Sequence, residues 1–416
     1  MIGADIRRIT GVRLANGAEC ETRIESGVVS ELRPTDPAVE GATAPDHLHL
    51  PGWLLLPAGV EPHAHVDKAF SWSLVDQVYG DLGAAIDCWR AYAAQMTGAD
   101  VYDRAKRAFA AYLAHGITAV RTHVDLLDGP DPTRGLTEVL RLRDELSDVM
   151  DIQVVLLASY RSPPQNVIDA IRLGVDVVGG CPHLSPDPAA ETVWLLDLAE
   201  RFGLPVDLHT DEQLNPDVQT IREFIREVGR RGLGGRATAS HCVSLGVLPA
   251  AELAELIEDI RRVGLGIVGL PITNLYLQGR ANPVGTPRGI TALRQLIDAG
   301  VTVAAGADNL RDPFNPMGRA DPFETTSLLV TAGHLDADQA LTAVTAGGRR
   351  ILGLPAAGPA IGQRADLVAV PAPTLADALA GPGDARIVLH RGRLVSRTTV
   401  TQENAINTEA ALGRLG

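Results

Sequence analysis

The chain has 416 residues, 45% of them hydrophobic and 21% charged, and its 51 acidic and 37 basic residues give a net charge of −14. That length can bury a large core and exceeds one small domain, while 42 Gly and 27 Pro stay below the level of a low-complexity chain. Without a Lys/Arg-rich block, an apolar run of membrane-spanning length or an apolar stretch in the opening MIGADIRRIT, the sequence argues against a nucleic-acid partner, a membrane partner and an export signal. Four cysteines (Cys20, Cys88, Cys181 and Cys242) form no CxxC pair, so a reduced, cytoplasmic protein is expected. Only two of the basic residues are lysines, Lys68 and Lys106.

In chain order, the first fifty residues read as short strands at Asp5–Ile9, Glu19–Glu25 and Val28–Leu32, with turns at Asn16-Gly17 and Ser26-Gly27. The far end reads alike, with strands at Asp366–Val370 and Arg386–His390 and a turn at Arg391-Gly392 into Leu394-Val395. Neither terminal piece can bury a core alone. Together, residues 1–55 and 356–416 are expected to build one small β-sandwich domain.

Residues 56–355 alternate differently. Eight short apolar runs recur: Leu54–Gly59, Ile117–Thr122, Ile152–Ala158, Val175–Gly179, Pro205–Leu208, Arg236–Ser240, Leu265–Leu270 and Val301–Gly306. Segments of helical periodicity lie between them, at Val101–His115, Thr137–Asp148, Asn166–Leu173, Thr192–Phe202, Asp217–Arg231, Ala250–Val263 and Thr291–Ala299. Apolar strands alternating with helices predict a parallel sheet. Eight such units predict an α/β protein built on a (β/α)8 TIM barrel, whose site lies at the C-terminal ends of the strands.

Polar residues fall where that barrel places a site. The first strand ends in Pro62-His63-Ala64-His65-Val66-Asp67, the fifth in Asp207-Leu208-His209-Thr210-Asp211-Glu212, the sixth in Ala239-Ser240-His241-Cys242 and the eighth in Gly306-Ala307-Asp308-Asn309. His63 and His65, two apart on an extended segment, face the same way. An HxH pair alone is weak, and His47, His49, His115, His334 and His390 read as structural. Four histidines and an aspartate on strands 1, 5, 6 and 8 of one barrel are harder to assign to chance. His63, His65, His209 and Asp308 offer three nitrogens and one oxygen, a set suited to one Zn2+ or Fe2+. Such an ion acidifies water. Glu212, just beyond His209, is placed as a general acid. His241 is placed to orient or deprotonate the water, or to stabilise developing charge. Binuclear hydrolases on this fold often bridge two metals with a carboxylated lysine at the end of strand 4, but here that end is Val178-Gly179-Gly180-Cys181-Pro182-His183. One metal is therefore expected.

These motifs resemble the amidohydrolase superfamily, and within it the bacterial cytosine deaminase branch. The resemblance rests on Val60–Asp67, Val120–Asp125, Asp207–Glu212 and Ala239–His241, and on Leu277-Gln278-Gly279-Arg280, Pro287–Thr291 and Gly306–Asn309 with Asp312-Pro313-Phe314. It covers essentially the whole chain. It implies a mononuclear hydrolytic deaminase in which His63, His65, His209 and Asp308 hold the metal and Glu212 shuttles a proton to the heterocycle nitrogen. His241 would lie beside the attacking water, and Asp308 would carry the water proton to departing ammonia. It also implies a homo-oligomer.

Three departures concern recognition. A strand 3 glutamine that grips the pyrimidine amide edge is replaced near Ser159, which cannot make the same paired contact. A second acid after Asp308 is Asn309, and a tryptophan over the substrate is Phe314. Ser159, His183, Gln278, Asn309 and Phe314 are the candidate substrate contacts, with Arg121 and His123 read as support for the metal ligands and Lys68 as either a binder of an anionic group or a surface ion pair. The expected activity is deamination of an amino-substituted nitrogen heterocycle, a cytosine-like pyrimidine or related ring. Alternatives are cleavage of another C–N bond, by alkylamine release from a triazine or cyclic amide opening, and a non-catalytic binding protein.

Overall fold

The computed structural model describes residues 2–34, 44–282, 284–381, 383, 385–401 and 403. Residues 35–43 and 404–416 of the expected terminal domain lie outside the described residues.

Four strands open the chain: β1 (Arg8–Arg13), β2 (Glu19–Glu25), β3 (Val28–Pro34) and β4 (His47–Pro57). Eight more follow, β5 (Gly59–Ala64), β6 (Ile117–Asp125), β7 (Asp151–Ala158), β8 (Val177–Gly180), β9 (Val206–Thr210), β10 (Ala237–His241), β11 (Gly266–Gly269) and β12 (Val303–Ala305). The last three are β13 (Leu367–Val370), β14 (Arg386–His390) and β15 (Arg393–Thr398). Strands from both ends form one seven-stranded sheet, in the order β15-β14-β13-β4-β1-β2-β3. Their inward positions, among them Ile6, Ile9, Val12, Ile24, Leu55, Leu367, Ile387 and Leu394, make a separate apolar core. The first predicted strand, Asp5–Ile9, begins too early and stops short, because Ile6 is buried like a strand residue while the ladder itself runs from Arg8 to Arg13.

Strands β5 to β12 form the second sheet, every neighbouring pair parallel. With intervening helices it is a (β/α)8 barrel. The helices are α1 (Leu82–Ala93), α2 (Gly98–Ala114), α3 (Arg134–Glu145), α4 (Pro164–Arg172), α5 (Pro188–Phe202), α6 (Thr220–Arg231), α7 (Ala250–Val263), α8 (Pro271–Leu277) and α9 (Leu293–Asp298). Seven predicted barrel strands match β6 to β12 within a few residues. The eighth, Leu54–Gly59, divides. Leu54, Leu55 and Leu56 pair with β13 in the terminal sheet, and the barrel strand starts at Gly59. A continuous apolar run hid the change of sheet, because each sheet buries its own share of it.

The barrel closes between β5 and β12 differently from elsewhere. One parallel bridge, Ala64 to Asp308, joins the two edges. Beside it the buried Glu61 carboxylate accepts hydrogen bonds from the backbone N–H of Ala307 (2.9 Å) and of His63 (3.3 Å). Glu61 thus fills a role that backbone carbonyls fill in the other ladders. Gly306 is required here, since a Cβ would overlap the Glu61 carboxylate.

Candidate active site

His63 is the penultimate residue of β5, and His65 follows the strand; both are buried. His209 comes from β9, and Asp308 lies three residues beyond β12. His241 ends β10 with φ 72°, and Asp308 has φ 68°. These left-handed conformations are unusual for non-glycine residues and turn both side chains out of the strand direction.

The four expected metal ligands converge. His209 Nε2 lies 3.1 Å from His63 Nε2 and 3.2 Å from His65 Nε2. Asp308 Oδ1 lies 3.3 Å from His65 Nε2 and 3.8 Å from His63 Nε2. A tetrahedron of ligands at roughly 2.0–2.1 Å from an ion has edges of about 3.3–3.4 Å, so these separations suit one. Burial, with His123 and other neighbouring imidazoles and, for His65, the Lys68 ammonium, holds the three imidazoles well below their usual pKa, so they are neutral and present lone pairs. Burial, with Glu212, Asp312 and Glu61 nearby, pushes the Asp308 carboxyl up. A carboxyl so placed ionises only beside a cation. Donor type, spacing and charge therefore fit a single divalent ion.

Around this cluster, Glu212 Oε1 lies 3.5 Å from His241 Nδ1. Burial raises the Glu212 carboxyl to about 8, leaving it protonated at neutral pH. His241 Nδ1 donates to Asn274 Oδ1 of α8 at 3.1 Å. Its Nε2 is then the unprotonated nitrogen, 4.0 Å from Asp308 Oδ2 and without a hydrogen-bond partner. Burial lowers the His241 pKa to about 3.

Behind the cluster, the His123 ring stacks on His63 with centroids 3.8 Å apart. Asp207, fully buried, accepts from Arg121 Nη1 at 3.0 Å and from Ser240 Oγ at 2.7 Å. Burial opposes its ionisation, but His123, Arg121 and Ser240 hold its pKa below the usual range. Arg121 is further fixed by Gln153 Oε1 and the carbonyl of Ile351.

A cavity of about 360 Å³ opens over His65, His209, Glu212, His241 and Asp308. Of the expected substrate contacts, Ser159, Asn309 and Phe314 line it, and His183 and Gln278 do not. Ser159 Oγ is engaged locally, accepting from the backbone N–H of Arg161 at 3.2 Å. Asn309 Nδ2 donates to Asp312 Oδ2 at 2.8 Å. His183 Nδ1 donates to the carbonyl of His209 at 3.0 Å, and Gln278 Nε2 to the carbonyl of Glu212 at 3.1 Å. These two brace the strand end that carries His209 and Glu212.

Sequence reading missed the roof. Helix α1 places Leu82, Ile86, Trp89 and Ala93 along the cavity. Their spacing of four, three and four residues is the helical signature that would have found it. Asp81 caps the helix, accepting from the N–H of Ala84 at 3.0 Å. Trp89 Nε1 donates to Asp125 Oδ2 at 2.7 Å, and Lys68 Nζ donates to Asp125 Oδ1 at 2.7 Å. Lys68 is buried rather than in a surface ion pair, and both it and Asp125 line the cavity.

A profile described as the amidohydrolase family matches residues 77–396. The chain belongs to that family. It is a hydrolase acting on carbon–nitrogen bonds. It is 32% identical over 389 residues to a pterin deaminase of Rhizobium rhizogenes, covering 90% of this chain and 87% of that one. An N-isopropylammelide isopropyl amidohydrolase of Pseudomonas sp. is 25% identical over 411 residues, covering 94% and 97%. The crystal structure of 5-methylcytosine deaminase from Klebsiella pneumoniae, liganded with phosphonocytosine, superposes with a TM-score of 0.86 at 28% identity, over 95% of this chain and all of that one. Among the described residues no helix is long and apolar enough to cross a membrane.

Proposed function

We propose that the chain is a metal-dependent hydrolytic deaminase of an amino-substituted nitrogen heterocycle, an aminopyrimidine or a fused ring such as a pterin. One observation carries the reading: a protonated, buried Glu212 lines a ring-sized cavity together with His65, His209 and Asp308 of the cluster that His63 completes. The pterin and 5-methylcytosine deaminases among the relatives support the substrate class. His63, His65, His209 and Asp308 would hold one Zn2+ or Fe2+, which when bound acidifies water and stabilises negative charge.

The remaining chemistry belongs to the chain. Glu212 donates its proton to the ring nitrogen beside the amino-bearing carbon. Water adds its oxygen to that carbon, and Asp308 takes the released proton. His241 Nε2, unprotonated and beside Asp308, accepts a hydrogen bond from the water and orients it. Collapse returns the new hydroxyl's proton to Glu212. Asp308 gives its proton to the amino group, the carbon–nitrogen bond breaks and ammonia leaves. The ring keeps a carbonyl where the amino group stood.

The test is ammonia release from aminopyrimidines, aminotriazines, aminopurines and pterin by protein loaded with Zn2+ or Fe2+. Ammonia with a product carrying oxygen in place of the amino nitrogen supports the reading. No ammonia from any ring by fully loaded protein refutes it. A product that gains water and keeps all its nitrogen identifies ring opening, and a released alkylamine identifies N-dealkylation.

A further inference from the structure

The cavity that Glu212 lines also carries a donor and an acceptor side by side, Lys68 and Asp125. Lys68 is only 4% exposed, and its ammonium reaches Asp125 Oδ1 at 2.7 Å and Asp67 Oδ2 at 3.3 Å. Asp67 lies behind the wall, where its Oδ2 also accepts from the backbone N–H of Asp125 at 3.1 Å. Asp125 is clamped from the roof by Trp89, whose ring also lies under the Lys68 ammonium at 5.3 Å. An ammonium has three donors and here two carboxylate partners; its third neighbour, His65 Nδ1 at 3.4 Å, carries that ring's proton when Nε2 faces the cluster and so cannot accept. Each Asp125 oxygen has two lone pairs and receives one side-chain donor, from Lys68 or from Trp89. The pair therefore retains an N–H and carboxylate lone pairs for a ligand.

Ser159 offers only one short hydroxyl, already accepting from the N–H of Arg161, and cannot present a charged donor beside a carboxylate acceptor. We propose that Lys68 and Asp125 read the lactam edge of the substrate ring, Lys68 donating to a ring carbonyl oxygen and Asp125 accepting from the adjacent ring N–H. This rests on the proposed function and names the ring class within it: amino-oxo heterocycles with neighbouring C=O and N–H groups. Trp89 and Asp67 are positioning residues that fix the pair before a ligand arrives. The four come from the β5 end, the β6 end and α1, so the reader is assembled only when the roof is seated.

The test measures binding, so that it stands apart from turnover. Zn-loaded Glu212→Gln protein is titrated calorimetrically with two matched pairs, isocytosine against 2-aminopyrimidine and pterin against 2-aminopteridine. The oxo member of each pair should bind about ten- to a hundredfold more tightly, the range for hydrogen bonds to charged groups. Adding Lys68→Met or Asp125→Asn should shrink that preference to less than threefold. Metal content and thermal melts identify a variant that has failed to fold. Asp125→Asn keeps the side-chain volume and a carbonyl oxygen, so it guards against that failure in Lys68→Met. An oxo preference that survives both substitutions, or no preference or binding in any pair, overturns the proposal. Wild-type protein that prefers the oxo rings but releases no ammonia overturns the proposed function and leaves the lactam reader standing.

Discussion

Glu212→Gln separates proton delivery from metal holding. Glutamine has the same shape as the protonated acid and no charge to lose. At pH 7 a carboxyl titrating at about 8 is protonated in roughly ten molecules for each one ionised. The substitution therefore resembles the resting state while removing a transferable proton. Glu212 stands 3.5 Å from His241, outside the four-residue cluster of His63, His65, His209 and Asp308. Metal content should stay within about a fifth of wild type. General acid catalysis contributes roughly 10²–10⁴-fold, so kcat should fall by that factor, about 3–5 kcal/mol of activation free energy. KM should move less, since a neutral amide still presents a polar group to the ring. The assay is ammonia release across pH 5–10 beside elemental analysis of the same preparation. A raised acid works in its protonated form, so wild-type activity should be retained below about pH 8 and fall as pH rises through it. In the variant that alkaline limb should disappear from the residual rate. A variant with more than a tenth of wild-type kcat, or one that loses its metal, would refute the assignment.

Other outcomes follow from the same geometry. His63→Ala removes a nitrogen 3.1 Å from His209 Nε2, and elemental analysis should show a large loss of metal. Treatment with a chelator should abolish ammonia release, and re-addition of Zn2+ or Fe2+ should restore it. Asp207→Ala leaves the Arg121 guanidinium buried without its carboxylate and should cost about 3–5 kcal/mol in chemical denaturation, the range for breaking a buried pair. Trp89→Phe deletes the N–H that clamps Asp125 and should raise KM for an oxo-bearing ring several-fold, leaving metal content unchanged.

Much of this architecture was legible because barrel physics writes itself into local sequence. Strands covered on both faces must be continuously apolar, so seven of the eight stood out. A polar residue at the end of such a run is conspicuous, which is why His209, His241 and Asp308 could be assigned to strand ends. What was not legible has physical reasons as well. The Leu54–Gly59 run serves two sheets in succession, and hydrophobicity does not record which sheet buries a residue. Gln278 and His183 carry polar groups that suit a ligand, yet in three dimensions both donate to backbone carbonyls. Lys68 gave no sign of burial, because its two carboxylate partners include Asp125, 57 residues away. Helix α1 lies where the barrel alternation predicts only a connection, so its apolar stripe went unread.

The Glu61 bond to Ala307 spans 246 residues. Across that seam, His63 and His65 stand on the first barrel strand and Asp308 just past the last. A growing chain therefore possesses two of the four side chains proposed to hold the metal early and gains the third, His209, midway. It cannot possess the complete set until the eighth strand has been made and has docked against the first. Partly synthesised or seam-opened molecules should hold metal weakly, so tight metal retention reports a finished barrel.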